Sequence, residues 1–261
     1  MPQAQHMAST HTSPGAPGPG AGDRPSSVHW TRRAAFVCLV IAAVSGLAWA
    51  LETPVTNYLA RRSAGDVDAL LATLADDNPL LEGEVEADRW AGYYAADVGS
   101  GYWPTPAPVG GDAFAVITLP ERIGGGAWRV VEGTTAEHLR QGPGHLVGPA
   151  LPGNLGNAVV SGHRTTWGAP FNRIDELAPG DEIVVDTATG RHVYAVTETF
   201  IVSPTDTWVA DSPEDPVAWL TLTACHPKGS ARQRVIVRAE LVGGPNAAFV
   251  SELSAGIDPD L

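Results

Sequence analysis

From Ala113 onward, short apolar or β-branched runs alternate with turn residues, the pattern of an all-β barrel or sandwich. The runs predict strands over residues 114–119, 128–131, 158–161, 182–186, 192–199, 219–224 and 234–241, with Thr187-Ala188-Thr189-Gly190 as a hairpin turn. Two short helices are predicted as well, one before the β pattern and one within it. Val67, Leu70, Leu71 and Leu74 recur at helical spacing over 66–75, ahead of Asp76, Asp77 and Pro79. Thr134-Thr135-Ala136-Glu137 has the form of a capping box and predicts a helix ending at Gly142-Pro143-Gly144.

One stretch is apolar without period. Residues 34–51 carry no charge, and 18 residues at about 1.5 Å each reach roughly 27 Å, close to the ~30 Å hydrocarbon core of a bilayer. Trp30, Arg32 and Arg33 precede it and Trp49 lies near its far end, so 31–52 reads as a single transmembrane anchor with a cytoplasmic N-terminus. Arg61 and Arg62 weaken that charge asymmetry. Ala48-Trp49-Ala50 also fits a signal-peptide cleavage site, but the polar region before the apolar run is unusually long for one.

The remaining segments follow from composition. Residues 1–30, rich in Gly, Pro, Ser and Ala, are expected to form a disordered cytoplasmic tail. Residues 53–110 read as a juxtamembrane stalk containing the first short helix, 111–242 as the folded β domain, and 243–261 as a polar C-terminal tail.

The chain's net charge is −13, and because its first 33 residues carry +2 the remainder carries −15; such an acidic outer portion repels phosphate backbones, so nucleic acid is not an expected partner. Lys228 is the only lysine, which disfavours lysine-based nucleophilic chemistry elsewhere in the chain. Neither Cys-x-x-Cys nor His-x-x-x-His occurs, so no metal site and no cofactor is expected, although calcium is left open.

Of the two cysteines, Cys38 lies in the apolar run and Cys225 ends Thr221-Leu222-Thr223-Ala224-Cys225-His226-Pro227. A lone thiol in an extracytoplasmic domain invites a chemical explanation. Period-two geometry puts Leu220, Leu222 and Ala224 on one face and Thr221, Thr223 and Cys225 on the other. Arg232 and Arg234 share a face of the next strand, where a guanidinium can lower a thiol pKa or donate to an oxyanion. His163 follows a strand ending in Gly162, a junction where functional groups are often presented. His138 and His192 read as surface residues, His226 points away from Cys225, and His145 suits either a groove lining or a structural loop.

These residues together resemble the sortase family, and its class E type in particular. Thr221-Leu222-Thr223-Ala224-Cys225 resembles the TLxTC signature, residues 234–239 the arginine strand, and residues 156–164 with Gly168-Ala169-Pro170-Phe171-Asn172-Arg173 the histidine segment. The resemblance covers roughly 111–241. It departs at Leu119-Pro120-Glu121-Arg122-Ile123-Gly124-Gly125-Gly126-Ala127-Trp128, where an extra residue and three glycines replace a shorter turn.

The resemblance implies a closed eight-stranded, mostly antiparallel barrel and a membrane-bound transpeptidase at the outer face of the cell membrane. Its Cys225 would attack the Thr-Gly bond of an LPxTG-like or LAxTG-like sorting signal on a secreted protein. His163 would act as acid and base, and Arg234 would hold the substrate and its oxyanion, with Arg232 as the alternative. Thr223, Trp128 and His145 are the implied substrate contacts, and a wall-precursor or pilin amine is the implied acceptor. Two other readings stand beside it. An L,D-transpeptidase would place glycine where Ala224 stands, and a tethered β-domain that binds wall or partner protein would need no Cys225–His163–Arg234 combination.

Overall fold

The computed structural model describes residues 27–63, 67–76 and 102–256. The expected disordered tail up to residue 26 and stalk residues 77–101 lie outside the described residues. The chain divides into two compact units, Met1–Ala48 and Trp49–Leu261.

Helix α1, Ser27–Ser63, contains the apolar run and begins inside the segment expected to be tail. Its Phe36–Tyr58 portion has a mean hydropathy of 1.9, long and apolar enough to cross a membrane. Helix α2, Val67–Asp76, matches the apolar spacing and packs on the barrel through β1, β2 and β5, with Leu74 buried.

The second unit holds a closed eight-stranded barrel. Its strands are β1 (Ala113–Thr118), β2 (Ala127–Glu132), β3 (Gly144–His145), β4 (Gly156–Ser161), β5 (Glu182–Thr187), β6 (Gly190–Val202), β7 (Ala218–His226) and β8 (Gln233–Gly243). Around the barrel the order is β1-β2-β3-β4-β7-β8-β6-β5, antiparallel except for the β2–β3 and β4–β7 pairs. Closure removes every sheet edge. Register shifts in the β6–β8 pair bend those long strands around the core, as bulges do. Inward residues such as Ile117, Val130, Val160, Tyr194, Leu220 and Leu222 fill the interior.

The structure corrects several sequence expectations. Helix α3, Ala136–Gln141, is capped by Thr135, whose hydroxyl accepts from the His138 N–H, one residue beyond the predicted capping position at Thr134. Residues 247–255 form helix α4 rather than a tail, and Val250 enters the core. His192, expected on the surface, is fully buried, its Nε2 bonded to the Thr187 and Thr189 hydroxyls. Burial pushes its pKa down to about 4. Gly153 makes room for that ring, since a Cβ there would come within 2.4 Å of it.

The proline-rich stretch is fastened to the barrel. Trp103 N–H donates to Asn246 Oδ1, Thr105 N–H to Asn154 Oδ1, and the Tyr102 hydroxyl accepts from Leu155 N–H.

Candidate active site

β7 delivers Cys225 half-buried to one rim of the barrel. Two neighbouring strands determine what meets it. In the antiparallel β7–β8 pair, Cys225 lies directly opposite Arg234. In the parallel β4–β7 pair, Ser161 partners Thr223, and Gly162 N–H continues the ladder to Thr223 O at 3.0 Å. One residue further, His163 reaches the level of Cys225. The register therefore sets Arg234 opposite Cys225 on one side of β7 and the His163 segment along its other side.

The segment after His163 is tied down. A Cβ on Gly162 would fall 2.5 Å from the Phe171 ring, so only glycine lets that fully buried ring pack there. Phe171 N–H donates to His163 O, and the Asn172 side chain donates to Arg164 O. Arg164 is itself buried and pairs with Asp175 at 3.0 Å. At the bend, Trp167 and Ala169 adopt φ of 53° and 49°, a left-handed conformation costly for residues with a Cβ. Gly168 N–H donates to Asn57 Oδ1 of α1, and the Arg140 guanidinium lies 5.2 Å over the Trp167 ring. Partial burial, with a further contribution from the Arg140 charge, holds the His163 imidazole below its ordinary pKa. Its neutral form therefore persists at neutral pH.

Arg234 and Thr223 border a groove of about 210 Å³ whose floor includes Val159 and Ser161. Its wall is the β6–β7 connection, including Pro204, Thr207 and Val209. Arg234 Nη1 donates to the carbonyls of Ala231 and Gln233, which fixes the guanidinium. Arg232 precedes β8 and its Nε lies on Ser230 Oγ, away from the register of Cys225.

Fully buried Asn157 joins floor to wall. Its Nδ2 donates to Val209 O and Asp211 O, and its Oδ1 accepts from the Thr221 hydroxyl. Thr221 is thus covered, although alternation alone put it on the open face. Nothing in the sequence singled out Asn157; the only signal is one polar residue at the head of an apolar run.

Two other predicted contacts lie elsewhere. The His145 ring is buried, with Nδ1 2.7 Å from Glu132 Oε2 and Nε2 2.9 Å from Ala150 O, so it braces β2 against β3 instead of facing the groove. Trp128 borders a separate cavity. His226 pairs with Gln233 at the strand end. Among the described residues, no group of three His, Cys, Asp or Glu side chains could hold a metal ion.

The family model described as Sortase domain matches residues 121–242. Sortase D of Bacillus subtilis is 32% identical over 138 residues, which cover 52% of this chain and 67% of that protein. Sortase SrtE1 of Streptomyces coelicolor is 36% identical over 101 residues, covering 36% of this chain and 29% of that one. Among solved structures, the SrtF sortase from Corynebacterium diphtheriae superposes with a TM-score of 0.50 at 29% identity, covering 56% of this chain and 92% of the other.

Proposed function

The chain belongs to the sortase family and is a sortase-type transpeptidase; from that premise we propose that it is a class E enzyme anchoring secreted proteins to the cell wall. The observation that carries this reading is the register that sets Cys225 between Arg234 and the His163 segment beside the groove.

A sorting peptide of the LAxTG or LPxTG type lies along the groove with its Thr-Gly carbonyl at Cys225. His163, neutral at neutral pH, takes the thiol proton as Sγ bonds to the carbonyl carbon. Arg234 donates to the oxyanion. Collapse of the tetrahedral intermediate breaks the C–N bond, and the imidazolium gives its proton to the leaving amine. The resulting thioester is then attacked by an acceptor amine, whose proton passes to His163 and returns to sulfur. The covalent intermediate divides amide exchange into two easier steps.

The apolar helix α1 supports membrane anchoring, and the wall-anchoring role puts the barrel outside the cytoplasm. A reporter fused after Leu241 is then expected to be extracytoplasmic; a cytoplasmic reporter contradicts the wall-anchoring role. The catalytic reading is tested by incubating the protein with an LAxTG peptide and a glycine-based amine. Exchange of the amine by the unsubstituted protein and none by Cys225→Ala is expected. Equal exchange by both proteins would remove Cys225 from the mechanism.

A further inference from the structure

The reaction needs two substrates, and a second cavity lies apart from the Arg234 groove. Between the β1–β2 connection and the loop after His163 lies a cavity of about 390 Å³, and none of its lining residues borders the Arg234 groove. Register carries Val131 across Gly144 and Ser161 to Thr223, so the start of β2 and the end of β7 share the rim that bears Cys225. One wall, residues 168–170 with Asn172 and Arg173, directly continues the His163 segment. Asn172 Oδ1 accepts from Lys228 in the β7–β8 connection, three residues beyond Cys225. The cavity thus flanks the histidine side of the site, whereas the groove flanks the arginine side.

Its lining combines an aromatic side chain with one guanidinium, that of Arg173, which is paired with Glu176. Gly126 leaves open space where a side chain would stand, and Trp128 forms part of the lining. Arg173 Nη1 lies 3.6 Å from the position of a Cβ on Gly124, while its Nε and Nη2 hold Glu176. The Glu176 carboxylate is thereby occupied and a guanidinium N–H faces the cavity. Lys228 adds a second cation nearby.

We propose that this cavity receives the acyl acceptor, and that its preferred acceptor is a short peptide amine with a carboxylate within a few bonds' reach, held by Arg173. This rests on the transpeptidase reading above. The placement follows from the chemistry: the acceptor amine gives its proton to His163 and so must arrive from that side, while the donor acyl chain occupies the groove.

The test is the partition of the acyl-enzyme between acceptor and water, measured on the full chain in detergent with an LAxTG peptide. The acceptor probes are triglycine and triglycine amide. The unsubstituted protein is expected to favour triglycine over its amide by about threefold to tenfold, the discrimination one charge-assisted hydrogen bond from an exposed guanidinium supplies. Arg173→Gln should erase that preference. Gly126→Leu, which fills the cavity at a position open to a side chain, should lower the transfer-to-hydrolysis ratio at least tenfold for both acceptors. If both variants keep the ratio and the preference of the unsubstituted protein, the cavity is not the acceptor site. If the unsubstituted protein forms no acyl-enzyme, the transpeptidase mechanism and the cavity assignment fall together; an acyl-enzyme with unaltered partition removes only the latter.

Discussion

The register sets Arg234 opposite Cys225 on β8 and the His163 segment beside the end of β7, and each residue gives a distinct prediction. Arg234 stands opposite the cysteine and Arg232 does not. Arg234→Ala is expected to lower kcat/KM for a sorting peptide about 10²- to 10³-fold, the usual effect of removing an oxyanion donor. Arg232→Ala should change it by less than about threefold, since its Nε lies on Ser230 instead. Equal losses would reassign the oxyanion role. His163 has a pKa below 6.5 because of burial, assisted by Arg140. A rate that depends on neutral imidazole therefore holds as pH falls past 6.5 and drops only at lower pH. Arg140→Gln removes a nearby positive charge, makes protonation easier and should move that acid limb to higher pH in a kcat/KM profile. An unmoved limb would assign it to another group.

The β6–β7 connection forms the groove wall, and Asn157 of β4 holds it against the floor. Asn157→Ala leaves two carbonyls and the Thr221 hydroxyl without that partner. The expected cost is about 2–4 kcal/mol in urea unfolding, together with a raised KM for the donor peptide. A stable variant with unchanged KM would show that the wall stands without this bracket. Longer strands were legible in the sequence because alternation extends over enough residues to give a period, as in β7 from Trp219 to Cys225. β3 was not, because Gly144–His145 is too short to alternate and pairs through the folded neighbours β2 and β4. His145 and His192 were misread or left open for a related reason. Nothing in their local sequence reveals Glu132, 13 residues from His145, or the cavity that Gly153 leaves for the His192 ring. Cys225 at a strand end and His163 after a glycine junction carry local marks in the sequence, whereas Arg234 is preferred over Arg232 through the family resemblance.

The molecule as a whole ties its stability to pH through buried His192. Its native pKa is about 4 against an ordinary 6.5, so both states are neutral above 6.5 and the residue exerts no pH dependence there. As pH falls from 6.5 toward 4 the unfolded chain takes the proton and the native state does not. Stability is lost across that window, by up to about 3 kcal/mol below pH 4. Urea midpoints at pH 7 and pH 4.5 should separate, and His192→Gln should narrow the separation; an equal separation in the variant would place the acid sensitivity elsewhere. The rim that carries the site depends on this barrel, because its closure brings β4, β7 and β8 side by side. The most direct test is intact-mass and peptide-mapping spectrometry of the full-length protein mixed with a sorting peptide and no amine acceptor. A hydroxylamine-labile acyl adduct on Cys225, absent in Cys225→Ala, is the predicted result; peptide cleavage without that adduct would contradict the account.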